Sequence, residues 1–190
     1  MKLIFATNNQ HKIAEIRSVL PKSFEVITLT EAGINIDIPE PYNTLKKNAK
    51  NKAKIIHQLT NNDCFSEDTG LEVYSLNNEP GVHSARYAGE EKSFQNNIRK
   101  LIHNLKDVKD RNAQFRTVVC LIIKGKTHYF EGICKGRITA KQKGNEGFGY
   151  DPVFIPDGAE KTFSQMSLKE KNFYSHRKKA LDKLVAFLKQ

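Results

Sequence analysis

Long hydrophobic runs are absent from this sequence of 190 residues. The longest uninterrupted apolar stretch, Val118 to Ile123, has six residues, whereas a membrane-spanning helix needs about 20. Met1 is followed by one lysine and then only the short apolar run Leu3 to Ala6, so no signal peptide is predicted. We therefore expect a protein outside the membrane and secretory classes, located in the cytoplasm.

Cysteine is also scarce. The three cysteines, Cys64, Cys120 and Cys134, form no CxxC motif, and their odd number favours reduced, buried thiols over disulfides. The six histidines form no HExxH motif or Cys/His cluster, which argues against a zinc site.

The net charge of +10 is unevenly placed along the chain. Residues 41–60 contain five lysines and no acid, and residues 161–190 contain eight basic and two acidic side chains, whereas residues 61–91 contain seven acids and one arginine. An acidic centre flanked by basic segments suits a metal-bridged polyanion, because carboxylates hold a cation and basic groups bind phosphates. A solvated, lysine-rich surface is the simpler alternative.

A sequence pI of about 9.5 raises a second alternative, a nucleic-acid-binding module. Arginine is scarce, with 7 of the 31 basic residues, and no RRM or KH pattern occurs. The acidic centre would also repel a nucleic-acid backbone that lacks metal. We therefore expect no nucleic-acid partner.

The hydrophobic pattern predicts an α/β fold with a mixed central sheet and flanking helices, in a single domain over residues 1–190. Strands and helices alternate first, and long strands at residues 113–123 and 127–139 then form a predicted hairpin. Two strands, 64–66 and 71–76, are expected on either side of a turn at 67–70. Residues 80–90 are expected to form a loop, and a final helix to begin near Ser175.

The first candidate site lies where a predicted buried strand leads into a helix. It comprises Thr7, Asn8, Asn9, Gln10, His11 and Lys12. Open α/β sheets bind ligands at such a position, and the helix N-terminus favours an anion. Lys12 could contact a phosphate there, although an N-cap followed by a surface lysine is the simpler interpretation of this segment alone.

The second candidate is the acidic pair Glu67 and Asp68. Adjacent carboxylates repel each other unless a cation lies nearby, and neighbours in a strand point to opposite faces. Asp68 and Glu40 could therefore hold Mg²⁺ together with phosphate oxygens. An acidic turn between strands is the alternative.

Two further candidates lie in the C-terminal part. Glycines flank Phe148 in the segment Gly147 to Pro152, so the ring could stack on a flat ligand while Asp151 accepts a hydrogen bond. Arg177 lies four residues before Leu181 and is predicted to point inward, where it needs an acidic or acceptor-rich partner. Lys171 and Arg177 only donate and would suit a carbonyl such as O6 of a 6-oxopurine. A tight turn and an exposed basic helix end are the alternatives.

Together and in this order, these motifs resemble the inosine triphosphate pyrophosphatase family, which hydrolyses non-canonical purine nucleoside triphosphates. The resemblance extends from residue 3 to the final helix. Its matching residues are Thr7, Asn9 and Lys12; Glu40, Thr44, Asn48 and Ala49; Asp68 to Leu71; Gly81 and Ser84 to Gly89; Phe148 to Pro152; and Lys171 with Ser175 to Arg177.

The resemblance implies two lobes around a deep cleft, a homodimer, and Mg²⁺-dependent hydrolysis of ITP, dITP and XTP to monophosphate and pyrophosphate. It implies phosphate binding by the segment Thr7 to Lys12 and Mg²⁺ binding by Glu40 and Asp68, with Asp68 also accepting a proton. It further implies nucleotide contacts from Thr69, Phe148, Gly149, Tyr150, Asp151, Lys171, His176 and Arg177.

Two residues depart from the family pattern. Lys47 stands where the family commonly has Glu, and Glu67 where Asp is frequent. If that Glu normally supports the metal site, Lys47 bears on how this chain binds Mg²⁺. A pyrophosphatase for modified pyrimidine nucleotides on a similar fold is a separate alternative within the enzymes.

Overall fold

The computed structural model describes residues 1–189. Within them, seven strands form one sheet in the order β2-β1-β3-β5-β6-β7, with β4 paired to β3. The strands are β1 Lys2–Phe5, β2 Glu25–Thr28, β3 Cys64–Val73, β4 Glu79–Gly81, β5 Asn112–Ile123, β6 Lys126–Ile138 and β7 Phe154–Pro156. The helices are α1 Gln10–Val19, α2 Leu45–Thr60, α3 Phe94–Asn104, α4 Leu168–Tyr174 and α5 His176–Leu188.

The sheet is mixed, as the sequence predicted. Strand β1 runs parallel to β2 and β3, whereas β3 pairs antiparallel with β4 and β6 antiparallel with β7. Strands β5 and β6 are joined by the two residues Lys124 and Gly125, both with positive φ, which confirms the predicted hairpin.

The described chain divides into two compact units. The first comprises residues 1–68, 117–132 and those from 177 on, and the second comprises 69–116 and 133–176. No helix among residues 1–189 is both long and apolar enough to cross a membrane.

The first unit has a core on each face of its strands. On one face, Leu3 and Phe5 pack with residues of α1 and α5; on the other, Ile4 packs with Ala49 and Ala53 of α2. Alternate side chains of a strand point to opposite faces, so the two faces of β1 pack against different helices.

The second unit has one core, formed around Leu71, Phe115, Phe154 and the buried face of α3. Phe115 contacts Phe154 with ring centroids 4.7 Å apart and nearly edge-on. The three cysteines are free and buried, as predicted.

Three local predictions were wrong. The two strands expected at 64–66 and 71–76 are one continuous strand, β3, and Tyr74–Leu76 forms a 3-10 turn. The expected loop at 80–90 contains strand β4 and a 3-10 turn at Ser84–Arg86. Gly70 is needed for packing rather than for a turn, because a Cβ there would collide with the backbone of Gly81.

Candidate functional site

The acidic pair lies within strand β3, so its two carboxylates point to opposite faces. Glu67 lies on the same face of β3 as Phe65, which packs with residues of α1 and α5. Asp68 lies on the same face as Cys64, which packs with α2. Both side chains are almost fully buried. The interpretation as an acidic turn is excluded, because both residues lie inside the continuous strand Cys64–Val73.

Glu67 contacts two cations. Its Oε1 lies 2.6 Å from Nζ of Lys12, and its Oε2 accepts a hydrogen bond from Nε of Arg177 at 3.3 Å. The guanidinium of Arg177 also contacts the carboxylate of Glu15 through Nη1. The predicted inward orientation of Arg177 toward an acidic partner is therefore confirmed, since the residue is 2% exposed.

These buried charges depend on one another. Burial alone would lower the pKa of Arg177, but the charges of Glu67 and Glu15 outweigh it and raise that pKa. Removing one partner from such a network leaves a charge buried without compensation, which typically costs about 3–5 kcal/mol. The network thus holds Lys12 and Glu67 in defined positions.

Asp68 faces a second cation, the ammonium group of Lys52. Nζ of Lys52 contacts Glu40 and lies 3.4 Å from Oδ1 of Asp68, so one positive charge is shared by two carboxylates. Burial opposes the charged form of Lys52, but Asp68 and Glu40 together raise its pKa. Burial is the main cause of the raised pKa of Asp68, with repulsion from Glu40 and Glu67 added and the charges of Lys52 and Lys12 opposing.

The segment that carries Glu40 is tied to helix α2 by two amide side chains. Asn48 donates to the carbonyl of Tyr42 and accepts from its N–H, each at 2.9 Å. Asn51 donates to the carbonyl of Pro39, also at 2.9 Å. These bonds on both sides of Glu40 explain how an irregular segment places a carboxylate against Lys52.

We call the seven side chains of the first unit that form these contacts the charged cluster. Its members are Lys12, Glu15, Glu40, Lys52, Glu67, Asp68 and Arg177.

Sequence reasoning missed Lys52 and Glu15. A signal for Lys52 was present, because it lies three residues after Ala49 and four before Ile56, on the apolar stripe of α2. Glu15 follows Lys12 by three residues on α1, a spacing that places both side chains on neighbouring positions of the helix surface.

The loop before α1 forms an N-cap. Oδ1 of Asn9 accepts from the N–H of Lys12 at 3.2 Å, and Oγ1 of Thr7 accepts from the N–H of Asn9 at 3.2 Å. Asn8 donates to the carbonyl of Ile36, while Gln10 and His11 are exposed. Within this segment, the structure brings Lys12 into the charged cluster and gives Thr7 and Asn9 a role in starting the helix.

The second unit contains a separate group, which we call the aromatic cluster: Phe94, Phe148, Asp151 and Lys171. Oδ2 of Asp151 accepts from the N–H of Phe148 at 3.0 Å and lies 2.5 Å from Nζ of Lys171. That ammonium is 5.3 Å from the centroid of the Phe148 ring. A cation at this distance from a ring face is attracted to it.

Glycine is required on both sides of Phe148. Gly147 and Gly149 adopt φ of +77° and +62°, values that other residues rarely adopt. A Cβ at Gly147 would also collide with the carboxylate of Asp151. Phe148 itself is half-buried.

Three other predicted residues of the second unit are buried or half-buried. Tyr150 is buried and donates to the carbonyl of Ser84 at 2.9 Å, and burial raises its pKa. His176 is 3% exposed and stacks on Phe115 with centroids 4.7 Å apart. Thr69 is half-buried in β3.

The residues predicted to hold Mg²⁺ are two carboxylates, Glu40 and Asp68. Among residues 1–189, no three or more His, Cys, Asp or Glu side chains form a group that could hold an ion. Glu40 and Asp68 nevertheless share one ammonium, so their arrangement suits a cation. Two carboxylates completed by phosphate oxygens and water is a common Mg²⁺ environment, and the residues fit that ion. Lys47, the departure noted in the sequence, is exposed.

Comparison with known proteins gives consistent matches over the whole chain. Residues 3–187 match the sequence profile of the Ham1 family. A dITP/XTP pyrophosphatase of Flavobacterium psychrophilum is 51% identical over 189 residues, covering 100% of both chains. The solved Ham1 protein of Staphylococcus aureus superimposes with a TM-score of 0.89 at 38% identity, covering 100% of this chain and 98% of that one. A HAM1 protein of Coxiella burnetii gives a TM-score of 0.90 at 32% identity, with the same coverage.

Proposed function

This chain belongs to the Ham1 family, and we propose that it is a Mg²⁺-dependent pyrophosphatase acting on the non-canonical purine nucleotides ITP, dITP and XTP. The reaction consumes water and yields the nucleoside monophosphate, pyrophosphate and a proton. Relatives that match it over their full length are dITP/XTP pyrophosphatases, which supports both the reaction and the substrate class.

The observation that carries the proposal is the charged cluster. Two carboxylates, Glu40 and Asp68, flank a buried ammonium, and Lys12 of the same unit pairs with Glu67, the neighbour of Asp68 in β3. A polyphosphate needs positive charge around its oxygens, and a metal bridging carboxylates to phosphates needs acidic groups. The lysines of the charged cluster provide the positive charge, and its carboxylates provide the acidic groups.

We propose that Glu40 and Asp68 hold Mg²⁺ and that Lys12 and Lys52 bind phosphate oxygens, together with Thr7 and Asn9 at the start of α1. A bound Mg²⁺ supplies charge neutralisation for the phosphates and the departing pyrophosphate. The two lysines add to that neutralisation from positions already fixed by ion pairs. Preorganised charge of this kind stabilises a transition state because little reorganisation remains.

Asp68 is proposed as the residue that orients water and accepts its proton. Beside a bound Mg²⁺ its carboxylate would stay ionised and could orient the attacking water. Water attacks the α-phosphorus, the bond to the bridging oxygen breaks, and pyrophosphate leaves with that oxygen.

We propose that the aromatic cluster binds the base. Phe148 would stack on the purine, and Lys171, with Thr69, Gly149 to Asp151, His176 and Arg177, would contact the nucleotide. Lys171 donates only, so it would favour a 6-oxo group over a 6-amino group. We further propose a single pyrophosphatase domain that forms a cytoplasmic homodimer without a nucleic-acid partner.

A substrate panel tests this function. ITP, dITP, XTP, ATP, GTP and a modified pyrimidine triphosphate are each incubated with the enzyme in Mg²⁺ and in EDTA, and pyrophosphate and orthophosphate are measured separately. We expect pyrophosphate from ITP, dITP and XTP at the highest kcat/KM, and none in EDTA. Orthophosphate as the first product, or a preference for the pyrimidine nucleotide, would overturn the proposal.

A further inference from the structure

Phe94 is a large aromatic side chain outside the core of its own helix. It is the first residue of α3, directly after the capping residue Ser93, and it is 39% exposed. The buried residues of α3 are Asn97, Ile98 and Leu101. The exposed position of Phe94 is therefore not explained by the packing of the helix, since leaving apolar surface in water is unfavourable.

The ring of Phe94 contacts the ring of Phe148. Their centroids lie 6.1 Å apart and their planes are inclined by 47°, within the range in which aromatic pairs attract each other. A second contact joins the same two segments, because Gln142 donates to Oε1 of Gln95 at 3.1 Å. The first two residues of α3 thus both hold the loop that carries Phe148.

This support matters because the loop has no regular structure of its own. Residues 139–150, all of which the structure describes, form neither helix nor strand. Phe148 is fixed there by the N–H bond to Asp151, by Lys171 beside its ring and by Phe94. Of these partners, Phe94 is the aromatic one, and its ring contact depends on the angle between the planes of the Phe94 and Phe148 rings.

We propose that Phe94 is a positioning residue for base recognition: it sets the orientation of the Phe148 ring against which the purine stacks. The inference rests on the proposed function, since stacking on Phe148 is part of it. A ring held in one orientation before binding loses less conformational freedom when the base arrives. Phe94 therefore strengthens nucleotide binding without taking part in the reaction at phosphorus.

Steady-state kinetics with dITP tests this role in five proteins: wild type, Phe94→Ala, Phe94→Tyr, Phe148→Ala and the double Ala variant. We expect Phe94→Ala to raise KM by about 3- to 10-fold, the size of an aromatic pair contribution, with kcat nearly unchanged. Phe94→Tyr keeps the ring and should restore the wild-type KM. In the Phe148→Ala background, Phe94→Ala should have no further effect.

Phe173→Ala is the matched control, because Phe173 is an exposed phenylalanine of the same unit and should leave KM unchanged. Phe94→Leu, assayed alongside, keeps an apolar side chain without the ring, and a raised KM is expected there too.

The outcomes separate the inference from the function on which it rests. An unchanged KM in Phe148→Ala would remove base stacking on Phe148 and with it the proposed binding site. A raised KM in Phe148→Ala with an unchanged KM in Phe94→Ala would overturn the inference alone. An equal effect of Phe94→Ala in both backgrounds, or a loss confined to kcat and thermal stability, would also overturn it.

Discussion

Glu67 and Asp68 are consecutive residues of strand β3 whose carboxylates contact different cations. Glu67 contacts Lys12 and Arg177 on one face, and Asp68 lies 3.4 Å from Lys52 on the other. The alternation of side chains along the strand thus gives the two acidic residues different ionic partners. We assign Asp68 to the reaction and Glu67 to holding the basic groups in place.

Substitution of Asp68 by Asn should abolish turnover without unfolding the protein. The amide neither accepts a proton nor carries the charge that a metal needs, so we expect kcat to fall by roughly 10²- to 10⁴-fold. The matched control is Glu72→Gln, also in β3, whose carboxylate pairs with Arg116 outside the charged cluster. Wild-type-like activity of Asp68→Asn in Mg²⁺ would remove its central role.

Lys52 should prove essential although sequence reasoning missed it. Replacing it by Met removes the cation shared by Glu40 and Asp68, and we expect kcat to fall by roughly 10²- to 10³-fold. Lys54→Met, two residues further in α2 and exposed, should remain within about twofold of wild type. Similar activities of the two variants would show that the buried ammonium of Lys52 has no role in turnover.

Arg177 should contribute strongly to stability. Arg177→Met leaves Glu15 and Glu67 buried without their shared cation, and urea unfolding should show a loss of about 3–5 kcal/mol. Its neighbour Lys178 pairs with Asp182 at the surface, so Lys178→Ala should cost at most about 1 kcal/mol.

The kcat/KM ratio of ITP to ATP, measured on Arg177→Met, tests the proposed contact of Arg177 with the base. An unchanged ratio would place base recognition elsewhere.

Glu31 should make stability depend on acidic pH. Its carboxylate accepts from the N–H of Thr28 and from Arg17, and these bonds lower its pKa from 4.5 to about 2. A carboxyl whose pKa is lowered by folding stabilises the protein above its unfolded pKa, and this stabilisation is lost as pH falls through the folded pKa. The contribution should therefore be complete above pH 4.5 and decline toward pH 2.

Urea midpoints of wild type and Glu31→Gln, measured between pH 7 and pH 3, check this dependence. The difference between the two proteins should shrink below pH 4.5. Glu25→Gln, which removes an exposed carboxylate 3.5 Å from Lys2, should give a smaller difference at every pH. A Glu31→Gln difference that is constant over the range would contradict the assignment.

The local parts of the fold and site followed from the sequence, and the parts that depend on distant partners did not. The start of α1 and the inward position of Arg177 each depend on the spacing of neighbouring residues. The continuity of β3 could not be recognised, because Glu67 and Asp68 are tolerated inside a strand only through cations from α1, α2 and α5. Strand β4 was missed because Pro80 and Gly81 are typical loop residues.

The missed residues have the same explanation. Lys52 is a charged residue on an apolar stripe, a position that would be costly without the carboxylates of Glu40 and Asp68. Phe94 is an aromatic residue at a helix start, and its partner Phe148 lies more than fifty residues away. Hydrophobic periodicity alone does not identify such pairs.

The most direct measurement of the proposed reaction is hydrolysis of dITP in water labelled with ¹⁸O, followed by mass spectrometry of both products. Attack at the α-phosphorus predicts one ¹⁸O atom in the monophosphate and none in pyrophosphate. Label in pyrophosphate, or in orthophosphate released directly from dITP, would contradict the reaction assigned to Asp68 and its neighbours.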